Sequence, residues 1–281
     1  MRIQPLPIFQ TLIAHFGVLL AGVLALFLSV PGQLRAEIII VPHQAGYTLD
    51  INRTSLDSQV SDANGAMVYT WGETCDGWTV EQRFLLNIVQ RNGNAVQLIA
   101  VSSTWEAKDG SRLRFNIKRE RNGETVEKIR GEAHLNAADE SGYAEFELPK
   151  PARIKLPKAT VFPTMHTLRL MRRATNGVKT DRQFVFDGSE LEESSPVSAF
   201  ILPPKMPKKA NPTLKPPLGP YEIRSINLAF FGPAGSALEP EFEMSIALQD
   251  NGIAPSLLLD YGDYAVQGTL VRLKELDKPD C

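Results

Sequence analysis

Apolar and polar residues alternate along most of this chain. In the run after Gly46, the apolar residues Tyr47, Leu49 and Ile51 are separated by single polar residues. Because successive side chains of a β-strand point to opposite faces, such a run gives one dry face and one solvated face. Further strand-like runs occur at 80–88, 113–118, 143–148, 183–187, 221–230, 242–248, 257–259 and 264–273. The pattern predicts a mainly β protein.

Short turn motifs separate several of these runs. Asn92-Gly93, Asp109-Gly110 and Asn122-Gly123 each place residues that tolerate positive φ at a reversal of the chain. Such dipeptides are typical of tight β-hairpins. Neighbouring runs are therefore predicted to pair as antiparallel strands in a meander.

One segment has a different periodicity and predicts a helix. Pro163 suits the first helical turn, and Met165, Leu168 and Met171 follow at helical spacing before a terminating glycine. The helix should have about thirteen residues and an apolar stripe that lies on the sheet, as a lid or plug. His166 lies within it, without His, Cys or acidic residues at a metal-ligand spacing, so no metal site is predicted there.

The N-terminal region has the composition of an export signal. Residues 16–30 are apolar apart from Ser29, Arg2 lies upstream, and Ala36 is a small residue suited to a cleavage position. A secretory signal has an apolar core of about 7 to 15 residues after a basic start, whereas a bilayer span needs about 20. The pattern predicts a cleaved signal peptide over residues 1–36. The alternative is an uncleaved anchor that extends back through residues 8–13.

The chain has two cysteines, Cys75 and Cys281. In a cytosolic protein they would be two unrelated thiols, but disulfides persist in exported proteins. Export therefore favours a bond between them, which would join a hairpin near the start of the mature chain to its last residue.

Residues 203–220 contain seven prolines and four lysines. This composition favours an extended, solvated conformation and often marks a domain boundary. Because a disulfide between Cys75 and Cys281 would connect the two sides, we expect a single domain over residues 37–281. Residues 203–220, here called the Pro/Lys-rich strap, would then cross its surface.

Charge and motifs argue against several classes of function. Residues 1–36 hold two of the 30 basic residues and no acid, which leaves 28 basic against 32 acidic residues and no general attraction to nucleic acid. The histidines that remain, His43, His134 and His166, lie outside G-x-S-x-G and H-E-x-x-H motifs. Asp260 and Asp263 could act as acid and base, but their segment is first of all typical of a turn. No catalytic, metal or cofactor site is predicted.

Several short motifs carry a family resemblance. They are, in order, Cys75-Asp76-Gly77-Trp78, Phe162-Pro163-Thr164-Met165-His166, Phe184-Val185-Phe186-Asp187-Gly188, Asp260-Tyr261-Gly262-Asp263 and the terminal Cys281. This series resembles the EipB family of periplasmic cell-envelope integrity proteins over residues 46–281. The resemblance implies a β-spiral, a long antiparallel sheet curled into an open barrel-like shape around one main helix. It also implies a disulfide at Cys75 and Cys281. The Pro/Lys-rich strap is longer and more basic than the family leads one to expect.

The resemblance also implies a function. The family is similar in shape to periplasmic carriers of lipids and lipoproteins, and some members act with a tetratricopeptide-repeat protein. We expect a monomeric, non-enzymatic periplasmic protein that supports envelope integrity by binding a hydrophobic ligand or a protein partner in or on its sheet. Lipid and lipoprotein are the candidate ligands, and nucleic acid and cofactors are not expected. The alternative is a hydrolase of envelope polymers with dispersed active residues.

An apolar cleft should lie beside the helix, because a helix of about thirteen residues is only about 20 Å long and cannot cover so long a sheet. The alternative is that the large apolar side chains simply fill the core. The candidates for the cleft wall are Trp78, Phe84, Trp105, Phe115, Phe162, Met165 and Leu168.

Cleavage of the signal peptide can be tested directly. The mature protein should begin near Glu37, because the small residue Ala36 precedes that bond. The intact mass of the exported protein should therefore correspond to loss of residues 1–36. A membrane-bound product that keeps these residues would contradict the prediction.

Overall fold

A computed structural model describes residues 38–136, 141–192, 194–206, 213–214, 219, 221–232 and 238–281. The predicted signal peptide and most of the Pro/Lys-rich strap lie outside these residues. Within the described ranges, no helix combines the length and the apolar character needed to cross a membrane.

The described residues form fifteen strands and one helix. In chain order they are β1 His43–Thr54, β2 Val60–Glu73, β3 Gly77–Gln90, β4 Ala95–Ala107, β5 Arg112–Arg121, β6 Glu124–Leu135, β7 Gly142–Leu148, β8 Ala152–Leu156, β9 Thr160–Val161, α1 Pro163–Thr175, β10 Thr180–Val185, β11 Ser195–Ile201, β12 Ile223–Phe230, β13 Phe242–Gln249, β14 Ser256–Asp260 and β15 Tyr264–Glu275.

All fifteen strands belong to one sheet, in the order β8-β7-β6-β5-β4-β3-β2-β1-β15-β14-β13-β12-β11-β10-β9. Neighbours are antiparallel except for β9 and β10. The two edge strands, β8 and β9, follow each other in the chain and are separated only by residues 157–159. Because so short a connection holds both edges together, the sheet must curl into a nearly closed barrel. The predicted fold class is confirmed.

The alternation of residue types places the core inside the curl. In β5, Leu113, Phe115 and Ile117 are buried, whereas Arg114 and Asn116 between them are exposed. The outer face of the neighbouring strands is charged and paired across strands, as in the Arg112–Glu132 ion pair at 2.5 Å. Such exposed pairs contribute little stability, and their main effect is to keep the outer face soluble.

Aromatic rings fill the space between the two edges of the sheet. Phe115 and Phe146, from strands near one edge, contact Phe186 from the other side with ring centroids 5.7 and 6.3 Å away. Phe162, at the start of the helix, lies 6.5 Å from Phe186 and is fully buried. These rings, here called the seam cluster, fill the gap between the two edge strands β8 and β9.

Helix α1 has the predicted position and a length of 13 residues. Its N-cap residue, Phe162, has no side chain that can cap, and Glu106 of β4 takes that role. The Glu106 carboxylate accepts hydrogen bonds from the backbone N–H groups of Thr164 at 2.7 Å and Met165 at 2.8 Å. Glu106 is only 1% exposed. Its buried carboxylate and the buried backbone N–H groups of the helix start are therefore hydrogen-bond partners of each other.

The second half of α1 is attached to the opposite part of the sheet. Asp181 of β10, whose side chain is 2% exposed, pairs with Arg169 at 2.9 Å and Arg173 at 3.0 Å. Two cations on successive turns thus share one buried carboxylate, which satisfies its charge and fixes the rotation of the helix.

The buried face of α1 differs from the predicted stripe. The structure buries Leu170, Met171 and Ala174 together with the polar His166, while Met165 and Leu168 are only partly buried. The two arginine–aspartate pairs decide this rotation, and the spacing of apolar residues alone did not reveal it.

Six strands lie outside the strand-like runs that the alternation predicted: β2, β4, β6, β8, β9 and β11. The 149–158 segment was interpreted as a connection because of its prolines, yet it contains β8. As an edge strand, β8 tolerates proline nearby. The segment of β11 was also missed because Pro196 and Val197, both buried, interrupt a simple alternation.

Two described parts of the Pro/Lys-rich strap are attached to the domain. Lys205 forms an isolated antiparallel bridge with Ile223. Leu214 is 7% exposed and packs in a core cluster with residues such as Tyr47 and Leu257. The strap therefore contributes an apolar anchor as well as its lysines.

The predicted disulfide is present in the structure. Cys75 in the β2–β3 turn and Cys281 are bonded, with Cα atoms 5.7 Å apart. The tail that follows β15 also donates a hydrogen bond from Leu276 N–H to the Pro42 carbonyl at 2.9 Å. Closure of so long a loop stabilises a fold by about 5 kcal/mol at most in a chain-entropy model. The bond fixes the tail across one end of the barrel.

Glu106 should make stability depend on pH. Burial raises its pKa to about 7, although the hydrogen bonds from Met165 and Thr164 oppose that rise. A raised carboxyl pKa stabilises the fold at low pH, and the benefit is lost as pH rises from about 4.5 to about 7. A Glu106→Gln variant does not titrate there. The unfolding free energy of the wild type minus that of the variant should fall by roughly 3 kcal/mol over this interval.

Urea unfolding between pH 4.5 and 7.5 measures this difference and cancels the effects of other groups. Glu81→Gln, at an exposed position on β3, is the control and should show no such trend. A difference between wild type and Glu106→Gln that stays constant with pH would contradict the role of Glu106.

Candidate functional site

The curled sheet encloses a cavity of about 750 Å³. Its walls come from β1 to β5 on one side and from β10 to β14 on the other, with Thr167 of α1 also in the lining. The helix is therefore a partial plug, and the part of the barrel that it does not fill is the cavity.

The deep part of the cavity is apolar and uncharged. Met67, Leu248 and Leu257 are buried side chains of its wall. The hydroxyl of Tyr47 donates a hydrogen bond to the Ala254 carbonyl at 2.9 Å, and burial raises its pKa, so the group stays neutral. This environment suits hydrocarbon and penalises charge.

Two further polar groups lie in the deep wall. His43 is 1% exposed and donates from Nδ1 to the Val41 carbonyl at 2.7 Å. Burial lowers the pKa of His43, so the ring is neutral at neutral pH. Trp71 is 3% exposed, and its indole N–H has no acceptor among the described residues. The indole nitrogen has almost no accessible surface of its own, so a ligand in the cavity does not reach it.

The cavity reaches solvent between the β10–β11 loop and the start of β13. Among the described lining residues, the solvent-exposed ones are Asp187, Glu190, Glu192, Glu241 and Tyr261, which together are called the mouth. Four of these five residues are acidic. The mouth therefore differs in charge from the neutral deep wall.

A glycine in the β10–β11 loop allows the loop to lie against the core. Gly188 has φ of +73°, and a Cβ atom there would lie 2.4 Å from the Phe115 ring. A larger residue would need a strained backbone and would displace the ring. The Asp187-Gly188 motif thus sets where the acidic side of the mouth begins.

Comparison with known proteins agrees with this architecture. A family model described as EipB-like matches residues 35–277. The cell envelope integrity protein EipB of Brucella abortus (strain 2308) is 30% identical over 244 residues, which cover 85% of each chain. This chain belongs to the EipB-like family. It is also similar to the crystal structure of a β-barrel-like protein of domain of unknown function DUF1849 from Brucella abortus. That match has a TM-score of 0.80 and 26% identity, and it covers 86% of this chain and 100% of that one.

Membership of the EipB-like family confirms the predicted resemblance, but the structure places most of the candidate cleft residues elsewhere. Phe84 of β3 lines the cavity. Phe115 and Phe162 are buried in the seam cluster and fill the core. They were expected in the cleft because they are large and apolar. Because the two sheet edges lie close together, these side chains instead pack between them.

The other four candidates lie beside the helix or at the disulfide end. Trp78 and Leu168 pack against the core cluster that surrounds α1. Met165 contacts a glycine of the β4–β5 turn. Trp105 covers Gly77, where a Cβ atom would lie 2.4 Å from the indole nitrogen. None of the four is in the described lining of the cavity.

Sequence reasoning missed most of the lining in this EipB-like chain. The missed wall residues include Phe230, Phe242, Met244, Leu257 and Leu259. Their alternation predicted strands with a dry face, which was the available signal. Which part of that face borders a void depends on how far α1 reaches, and single-strand patterns do not contain that information.

The described residues contain no group of three His, Cys, Asp or Glu side chains that could hold a metal ion. His134 lies on the outer face, where it stacks on Tyr143 and contacts Glu132 at 3.0 Å. Asp260 forms an ion pair with Arg53 at 2.7 Å. Both side chains therefore have structural partners on the sheet.

Proposed function

We propose that this protein is a non-enzymatic periplasmic protein that supports cell envelope integrity by binding a hydrophobic ligand in its cavity. The observation that carries the proposal is the cavity of about 750 Å³ with its apolar, uncharged deep wall. The name of the Brucella abortus relative supports the envelope role, and the predicted signal peptide supports the periplasmic location.

The size and lining of the cavity support a ligand with a hydrocarbon part. Ligand sites typically have volumes of about 300 to 1,000 Å³ and mostly apolar walls. Burial of each methylene contributes about 0.8 kcal/mol, so a chain of about ten would contribute roughly 8 kcal/mol before the costs of binding. A lipid or the acyl chains of a lipoprotein have the required chemistry.

Other features predicted from the sequence stay predictions. They are a tetratricopeptide-repeat partner, a monomeric state and the absence of nucleic-acid binding. The alternative hydrolase gains no specific support, because the hydrogen bond of His43 among the described residues goes to the Val41 carbonyl and not to a hydroxyl or thiol nucleophile. An activated nucleophile needs such a base within hydrogen-bond reach.

Filling the cavity should abolish binding. Ala100 lies on β4 in the cavity wall, so Ala100→Phe places a ring in the space that a ligand would occupy. Titration with the apolar fluorophore N-phenyl-1-naphthylamine should show at least about tenfold weaker binding, a change of about 1.4 kcal/mol. Ala66→Phe puts the same ring on the exposed outer face of β2 and serves as the matched control.

Both variants should keep the circular dichroism spectrum of the wild type. Equal fluorophore affinity for the wild type and a folded Ala100→Phe variant would show that ligands do not use the cavity, and the proposed function would fail.

A further inference from the structure

The charge of the mouth restricts the ligands that the cavity can accept. Its four carboxylates belong to Asp187, Glu190, Glu192 and Glu241. The pKa of Glu190 is raised, first by burial and then by the negative charges of Glu192, Asp187 and Glu241, while Arg119 opposes the shift. The acidic side chains are therefore close enough to repel one another.

No excess of positive charge balances this group within the described lining. Arg119 is the cation among those residues, and it already forms an ion pair with Glu127 of β6. The mouth therefore has an unbalanced negative charge. An anionic head group would have to approach several carboxylates next to a low-dielectric wall, where repulsion is only partly screened.

Aromatic rings lie beside these carboxylates. Glu241 is followed by Phe242, whose ring centroid is 5.2 Å from that of Tyr261 and 5.5 Å from that of Phe230. Tyr261 also stacks on Tyr264 at 5.0 Å and is 36% exposed. Aromatic faces attract cations through their quadrupoles, and combinations of rings with nearby acids recognise ammonium groups.

We propose that the ligand is an amphiphile with a positively charged nitrogen at its polar end. Its hydrocarbon part lies in the deep cavity, and its ammonium group sits at the mouth between the carboxylates and the Tyr261 and Phe242 rings. The inference rests on the proposed function, because it assumes that the cavity binds a hydrophobic ligand.

Three probes with the same twelve-carbon chain separate charge from hydrophobicity. They are dodecyltrimethylammonium, dodecanoate and uncharged dodecyl maltoside, each used below its critical micelle concentration to displace N-phenyl-1-naphthylamine. The cation should bind at least about tenfold more tightly than the anion at low ionic strength, and salt should reduce this preference. The uncharged probe should lie between them.

Variants of the mouth test which groups cause the preference. The double variant Glu190→Gln and Glu241→Gln should weaken binding of the cation by roughly five- to tenfold and leave dodecyl maltoside unchanged. Tyr261→Leu keeps apolar bulk but removes a ring face, so it should weaken binding of the cation by a few-fold. Glu243→Gln is the matched control, because Glu243 is exposed on β13 two residues after Glu241 and is not part of the lining of this cavity.

The outcomes separate this inference from the proposed function. If all three probes bind equally, or if the double variant keeps the wild-type preference for the cation, the ammonium ligand is wrong while cavity binding stands. If none of the probes displaces the fluorophore and the fluorophore itself does not bind, the cavity is not a hydrophobic site and both proposals fail. A preference for the cation that the double variant loses and Glu243→Gln keeps supports the inference.

Discussion

The hydrogen bonds that the Glu106 carboxylate accepts from the first turn of α1 hold the helix inside the sheet, and the rest of the architecture depends on this contact. A buried helix start leaves backbone N–H groups without partners, and Phe162 at the N-cap cannot satisfy them. The carboxylate from β4 supplies the missing acceptors and meets the positive end of the helix dipole. With Asp181 bonded to the later half of α1, both the position and the rotation of the helix are fixed.

The cavity follows from the difference in size between this helix and the sheet around it. The sheet curls because β1 pairs with β15 while the edge strands β8 and β9 are consecutive in the chain. A curl of fifteen strands has more inner surface than 13 helical residues can cover. Packing of the seam by Phe115 and Phe186 closes one part, and the remainder is the apolar space that opens at the acidic mouth. The Cys75–Cys281 bond secures the chain terminus across one end.

Local features of the fold could be predicted from the sequence, whereas the site could not. Alternation at Phe242 and Met244 predicted β13, and Pro163 predicted the start of α1. The site depends on contacts between distant segments, such as those that set the face of α1 and those that bury Phe115 in the seam. Glu106 gave no signal, because residues 95–107 do not alternate simply and the partner lies 58 residues away. Tyr261 was interpreted as part of a turn, and its place beside Phe242 appears only in the folded sheet.

The central claim is that the space left by α1 holds a hydrophobic ligand, and native mass spectrometry tests it most directly. The protein should be isolated from its own cells without detergent and measured before and after extraction with organic solvent. The account predicts a main species that carries one small-molecule adduct, which extraction removes and which is found in the organic phase. A native protein with only the mass of its mature polypeptide would contradict the account.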